Sequence, residues 1–378
     1  MDFSITREQK EFVEEVKRFG STILNNKEDL DKFSYDLWMK IADFGLLSLV
    51  TEEKYGGLGE SYLTAAMCIE ALGYASRNNG LVFAINNHIW VAQNLINIYG
   101  SDILKEKYLE DMGSGKKIGC FALTEPDSGS DALSMASKVH EENDCYILTG
   151  TKMFISNGPI ADIFMVVARN QEDPRKFSIL VVEKDFIGVK TGNDIKKMGL
   201  NSCPTSEVVF DNVSIPKENI LGTYGSGEPI MNAILEWERC YEFAPHVGAM
   251  QRIMEECCKY ASSREQAGKK IIEYQAISHK IADMKVAVEM SKLMLYKIAS
   301  LKDQRKNAFL EAAIFKLYVS ENYVKICQDA IQIFGGYGYC EEYMIERELR
   351  DAIGSTIYSG TSEIQRNIIC NMVNALIV

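Results

Sequence analysis

The chain has 378 residues, 47% of them hydrophobic, with 41 basic against 53 acidic side chains and a formal net charge of -12. That length exceeds one ordinary hydrophobic core and calls for two or three lobes, while the acidic balance argues against nucleic acid as a partner. No run approaches the ~20 apolar residues of a membrane span, and four histidines, none three or four residues from another, make a metal site an unfavoured reading.

Residues 1 to about 115 carry helical periodicity. Phe12, Val13, Val16 and Phe19 make one stripe, Leu37, Ile41, Phe44 and Leu47 a second, Ala65, Ala66, Ile69 and Leu72 a third. Lys54 to Gly59 punctuates them as a glycine-rich loop. Asn79 to Tyr99 reads as a largely buried helix around His88 and Trp90, and His88 is taken as a satisfied interior histidine before an acid or base.

From Ile118 the character changes to short β-rich runs, at Tyr146–Leu148, Ile163–Val167, Ser178–Val182 and Glu207–Phe210, which predict a small antiparallel sheet or barrel. Two loops at its lip stand out. Leu123 to Asp131 is dense in hydroxyl and glycine residues whose backbone N–H groups can approach a phosphate or polar ring. Lys152 to Gly158 offers an aromatic face beside a hydroxyl. After Gly222–Gly227 long helices return, at roughly 228–262, 271–301 and 306–334; GxGxxG is absent, so no dinucleotide fingerprint is present. The ten cysteines are scattered without a CxxC pair, which suits reduced, packed thiols. Met1-Asp2-Phe3-Ser4 lacks the basic flank and apolar stretch of a secretion signal, so a cytoplasmic protein is expected.

Tyr358-Ser359-Gly360-Thr361-Ser362-Glu363 begins as a tight turn at Gly360 and becomes a helix capped by Thr361 or Ser362. Ile364, Ile368, Met372 and Leu376 then predict one buried face that holds the turn rigid. A hydroxyl-rich helix start beside a glycine suits a phosphate or ring edge, although, taken alone, a simple capped terminal helix is the preferred reading.

Several ordered motifs together resemble the acyl-CoA dehydrogenase superfamily along essentially the whole chain. They are Leu123 to Asp131 (TEPxxGSD-like), Gly150 to Asn157 (GTKxxITN-like), Lys197-Met198-Gly199, Arg264 with Gly268 and Gln275, Gln332 to Tyr339, and Tyr358 to Arg366. The resemblance implies an α+β fold: an N-terminal α-helical domain (1–116), a middle antiparallel β-barrel domain (117–226) and a C-terminal four-helix-bundle domain (227–378) with FAD and oligomer contacts. It implies non-covalent FAD in a homo-oligomer, a tetramer or dimer. Thr124 and Ser130 match the flavin and diphosphate loop, Phe154 and Ser156 the flavin ring, and Thr361 the terminal turn's cofactor contact. Arg264, Gln275, Gln332, Gly335 and Gly336 match positions that hold a neighbouring subunit's FAD. Arg239, Tyr358 and Gly360 are the substrate-binding candidates.

The reaction so implied removes a proton from the carbon α to a thioester, and this needs a general base of raised pKa. In most members the base is a glutamate just before the terminal-turn glycine; here Ser359 stands there, whose hydroxyl cannot serve as that base unaided, while its backbone N–H can still donate to the thioester oxygen. Other members place it before an arginine on the first C-terminal helix, where this chain has Glu238-Arg239. On a helical wheel Glu238 borders the apolar face of Ile230, Ile234, Trp237 and Tyr241, whereas Glu236 and Arg239 point away. Pro245 is expected to kink that helix. Ala267 and Phe154 replace aromatics usual in the family, and the second change leaves open whether electrons leave through an electron-transferring flavoprotein or to oxygen. The acyl thioester is carried by CoA or by a carrier protein. The short acidic loop Asn170 to Lys176, unfavourable beside a CoA 3′-phosphate, leans to the carrier. A flavoprotein that has lost catalysis and serves as a binding subunit is the rival, with Ser359 its support and Glu238 the evidence against it.

Overall fold

Thr6 opens the first helix with a complete capping box: its hydroxyl accepts from the Gln9 amide at 3.2 Å, and Gln9 Oε1 accepts from the Thr6 amide at 2.9 Å. From there the computed structural model describes residues 5–377. The expectations for Met1 to Ser4 and for the side chain of Leu376 lie outside the described residues. The helices α1 (Arg7–Ile23), α2 (Tyr35–Asp43), α3 (Tyr62–Ala75), α4 (Asn79–Asn86), α5 (Asn94–Tyr99) and α6 (Asp102–Gly113) pack all three predicted stripes against one core, the third fully buried and Phe12, Val13, Phe19 and Phe44 half-buried at the core's edge. Phe44 and Leu47 fall just beyond α2, in its cap and in a short 3-10 turn. Asn87–Gln93 joins α4 to α5 as a π-helical segment, which widens the helix where it passes the cleft described below. His88 is interior, as expected. Its Nδ1 accepts from the Gly119 amide at 2.9 Å, so Nε2 carries the hydrogen and donates to the Met112 carbonyl at 3.1 Å. Burial pulls its pKa down to about 4, and the ring is a neutral strut.

The middle third is a seven-stranded sheet with its own apolar core. Its strands are β1 (Gly119–Ala122), β2 (Lys138–Glu142), β3 (Cys145–Ser156), β4 (Ile163–Asn170), β5 (Phe177–Glu183), β6 (Val189–Thr191) and β7 (Thr205–Pro216). Pairings β2–β3, β3–β7, β4–β5 and β6–β7 are antiparallel as expected. By contrast β1 and β2 both run parallel to β4, with Gly119 beside Ile163 and Lys138 beside Arg169, so the sheet is mixed. The reason is topological: β1 and β2 reach β4 through long connections rather than tight hairpins.

The expected helix over 228–262 is two helices, α7 (Gly227–Tyr241) and α8 (Ala244–Ser263). Pro245 does not kink a continuous rod. It occupies the first turn of α8, where its missing N–H has no intrahelical partner to lose. A short hairpin of β8 (Glu265–Gln266) and β9 (Lys269–Lys270) then leads to α9 (Gln275–Asp303), α10 (Phe309–Phe334), α11 (Ile345–Gly354) and α12 (Ser362–Ile377). Both helical regions share one core. They cross at backbone contact, because a Cβ on Gly73 of α3 would lie 2.1 Å from the Pro245 carbonyl oxygen. Asp303 also accepts from the Tyr62 and Leu63 amides at 2.7 and 3.1 Å, capping α3 from the far end of α9.

Candidate active site

Between the sheet's lip, the π-helical segment, α7 and the turn before α12 lies a cleft of about 480 Å³. It gathers Thr124, Ser130, Phe154 and Ser156 from the sheet side. From the helical side come Glu238, Arg239, Tyr358, Ser359, Gly360 and Thr361. Phe83, Asn87, Val91, Phe121, Leu235, Ile357 and Ile364 complete its wall. Nothing in the sequence singles these out, since they read as ordinary apolar or helical positions.

The Thr124 loop is fixed by a buried ion pair that sequence reasoning missed. Lys152 Nζ donates to Glu125 Oε1 at 2.7 Å and to the Leu123 carbonyl at 3.0 Å, and Glu125 also accepts from the Ala136 and Ser137 amides at 2.5 and 3.0 Å. Burial pushes the Lys152 ammonium down to about 8 against the pull of Glu125. A β-bulge between Lys152 and Ile155, with Phe154 at φ 59°, turns the Phe154 ring out of the sheet and leaves it 62% exposed at the cleft. The family motif marks that residue, whereas the bulge is visible only in three dimensions.

The turn opposite is left-handed at both Ser359 (φ 58°) and Gly360 (φ 86°). Thr361 is the helix cap, accepting from the Ile364 amide at 3.3 Å. The apolar stripe behind it is shallower than expected, since Ile364, Ile368 and Met372 are half-buried and the buried residues are the polar Ser362 and Gln365. Gln365 Nε2 donates to the carbonyls of Ser359 and Gly360, each at 3.0 Å, so an amide rather than a hydrophobic face secures the turn. The reason is position: α12 packs at the edge of the helical region, against α10, with its other side open.

Glu238 is half-buried, reached by the cleft from one side. Ser359 Oγ donates to its Oε1 at 2.7 Å, and Oε2 has no hydrogen bond among the described residues. Burial pushes its carboxyl up, while the Ser359 hydroxyl, Arg239 and Lys316 pull it back. Glu236 does point away, but into a second interior, where it pairs with Lys302 and accepts from the Ala308 amide at 2.8 Å. Arg239 does not share that direction. Its long stem turns back to the cleft, where Nε donates to the Ser359 carbonyl at 3.4 Å.

Arg264, Gln275, Gln332, Gly335 and Gly336 stand outside this cleft, exposed on the opposite ends of the long helices. They share one end: Lys280 of α9 pairs with Asp329 of α10, five residues past Gln275 and three before Gln332, and the Arg264 guanidinium lies 5.7 Å from the Tyr337 ring centre. Gly335 sits at φ 62°, ψ −136°, a conformation only glycine holds easily, with open space where a side chain would be. The loop Asn170 to Lys176 is also outside the cleft; Asp173 takes the Arg175 guanidinium at 3.1 Å, and Glu172 accepts from Tyr224 at 2.6 Å.

The whole chain matches family descriptions in order: Acyl-CoA dehydrogenase, N-terminal domain over residues 6–116, middle domain over 120–213 and C-terminal domain over 225–373. The chain belongs to the acyl-CoA dehydrogenase family. It is 36% identical over 375 residues to an L-prolyl-[peptidyl-carrier protein] dehydrogenase of a Serratia species, covering 98% of this chain and 97% of that one. It is likewise 36% identical to the Caffeyl-CoA reductase-Etf complex subunit CarC of Acetobacterium woodii, over 94% of each chain. Among solved structures the FAD complex of PigA superposes with a TM-score of 0.95 at 36% identity, over 99% of each chain. As an acyl-CoA dehydrogenase family member the protein is a flavin-dependent oxidoreductase, and its cofactor is FAD. The residues present fit such a group: a flat Phe154 ring left uncovered, the hydroxyls of Thr124 and Ser156 beside it, and an open backbone at Gly129 and Ser130. No helix among the described residues is long and apolar enough to cross a membrane.

Proposed function

We propose that this acyl-CoA dehydrogenase family member oxidises an acyl group held as a thioester on a carrier protein in a biosynthetic pathway, with Glu238 removing the α proton. The observation that supports the base is the state of Glu238. Its Oε1 is engaged by Ser359 while Oε2 is free toward the cleft, in a setting that raises its proton affinity. Bound FAD supplies the acceptor for the two electrons and hydrogen that leave the β carbon. Arg239 and Gln365 hold the Ser359 carbonyl from two sides, which fixes the turn. The Ser359 and Gly360 amides make no hydrogen bond among the described residues, so they are free to donate to a thioester oxygen as α-carbanion character develops there. Thr124, Ser130, Phe154, Ser156 and Thr361 would hold FAD in this cleft. Arg264, Gln275, Gln332, Gly335 and Gly336 would hold that of a neighbouring subunit in a dimer or tetramer.

The carrier reading is supported by the relative named for a peptidyl-carrier protein and by the acids at positions 172 and 173, whose nearby Arg175 is already paired. A cytoplasmic setting and an acceptor among electron-transferring flavoproteins or oxygen go with it. The test offers one acyl group on CoA and on a carrier protein and follows anaerobic flavin bleaching. Higher kcat/KM on the carrier is expected; equal or better turnover on CoA removes the carrier.

A further inference from the structure

The side of α7 that carries the base continues past the cleft-lining residues into the buried cap of the helix. Leu235, Glu238 and Arg239 face the cleft, and the next position on that face is Glu242, four residues after Glu238 and three after Arg239. Glu242 is 1% exposed, and neither of its carboxyl oxygens has a hydrogen-bond partner among the described residues. Folding gives no reason for this, because a leucine there would pack without desolvating a polar group. The groups around it do not answer it. Tyr358, which lines the cleft, is committed to His246 Nε2 at 2.6 Å, and Glu238 only repels a second negative charge. Two cations of the same cluster are also unsatisfied, Arg239 at Nη1 and Lys316 at Nζ, the latter 0% exposed. A native interior leaves such atoms unpaired where a ligand or water is to meet them.

We propose that Glu242 is a specificity-determining residue that hydrogen-bonds an amine on the α carbon of the acyl group, which makes aminoacyl thioesters the substrate class of this cleft. The inference rests on the dehydrogenase reading above. An α-amine is one bond from the carbon whose proton Glu238 takes. One turn of helix rises about 5.4 Å, so a carboxyl one turn further along the same face meets the nitrogen while the base meets the α hydrogen. Burial and the neighbouring Glu238 push the Glu242 carboxyl pKa up and so favour its protonated form, which donates its O–H to an amine nitrogen and accepts an N–H at its carbonyl oxygen. A plain fatty acyl chain would leave both functions of the buried carboxyl unpaired, and sites built on a buried hydrogen bond reject the analogue that lacks it strongly.

The test compares L-prolyl-pantetheine with cyclopentanecarbonyl-pantetheine, in which CH₂ replaces the ring N–H, by single-turnover flavin reduction in FAD-loaded protein. The expected wild-type preference for the prolyl thioester is about 10²-fold or more. Glu242→Leu should bring the two within a few-fold of each other, and Glu242→Gln, which keeps a donor and an acceptor, should retain most of the preference. Because the ratio is taken within one preparation, a general loss of folding or flavin does not imitate the effect. An unchanged ratio in Glu242→Leu overturns the inference, as do equal rates or a carbocycle preference in the wild type. Bleaching by neither thioester in the wild type overturns the dehydrogenase reading and this inference with it.

Discussion

Ser359 donates its hydroxyl hydrogen to Glu238 Oε1 across 2.7 Å. The side chain that stands where most relatives of this family keep their base is therefore the hydrogen-bond partner of a carboxylate 121 residues earlier, on another helix. In the proposed reading the base comes from α7 instead of the terminal turn, and the turn's Ser359 holds it.

Glu238→Gln preserves size and the Ser359 contact but removes the basic oxygen, so single-turnover flavin reduction should slow by about 10² to 10⁴ while FAD stays bound. Combining it with Ser359→Glu returns the commoner arrangement, and the rate should partly recover because the turn is already left-handed at that residue. Undiminished reduction in Glu238→Gln would refute the assignment.

Ser359→Ala removes a hydrogen bond that favours the charged form of Glu238, so the carboxyl's pKa should rise further. The base must be ionised to act, so the rate falls as pH drops through that pKa, and the acid limb of the pH–rate profile should move to higher pH. At the alkaline plateau the change should stay within about tenfold, the worth of one ordinary hydrogen bond. A limb displaced to lower pH would show that Ser359 does not stabilise the carboxylate.

Glu236→Gln is not a silent control, although Glu236 faces away from the cleft. It strands Lys302 in the interior and weakens the acceptor for the Ala308 amide, which should cost about 3 to 5 kcal/mol in equilibrium unfolding. Reduction per bound flavin in the folded fraction should be nearly unchanged. A stability equal to wild type would mean that the pair is solvated in solution.

Glu125→Gln should loosen the Thr124 loop, because Lys152 then has no counter-charge in a fully buried position. The FAD dissociation constant, measured by fluorescence titration, should rise about tenfold or more, and the melting-temperature deficit relative to wild type should be larger when excess FAD is present, because the tighter-binding wild type gains more from the same ligand. The acid dependence has a definite sign. Burial alone would raise the Glu125 carboxyl, but Lys152 and two backbone amides hold it below its ordinary value. Its contribution is therefore complete above an unfolded glutamate's pKa of about 4.3 and lost as pH falls through the lower folded value. An FAD affinity insensitive to Glu125→Gln would detach the ion pair from the cofactor loop.

By itself the sequence determined the helix, sheet, helix order, the capped terminal turn, the interior role of His88 and Glu238 as the carboxylate bordering an apolar face, because each follows from local periodicity, turn chemistry or an ordered motif. Tertiary structure decided what depends on partners far apart in the chain. It divided the predicted 228–262 helix at Glu242 and Phe243, just before Pro245, since a proline is tolerated at the start of a helix and not within one. It turned Arg239 into the cleft and sealed Glu236 against Lys302, directions a helical wheel cannot give because a long side chain follows its nearest charge or carbonyl. It set β1 and β2 parallel to β4, aimed Phe154 by a bulge, and left Glu242 buried without a partner. Pairing and burial are sums over neighbours contributed by the whole chain, and no single stretch of sequence contains them.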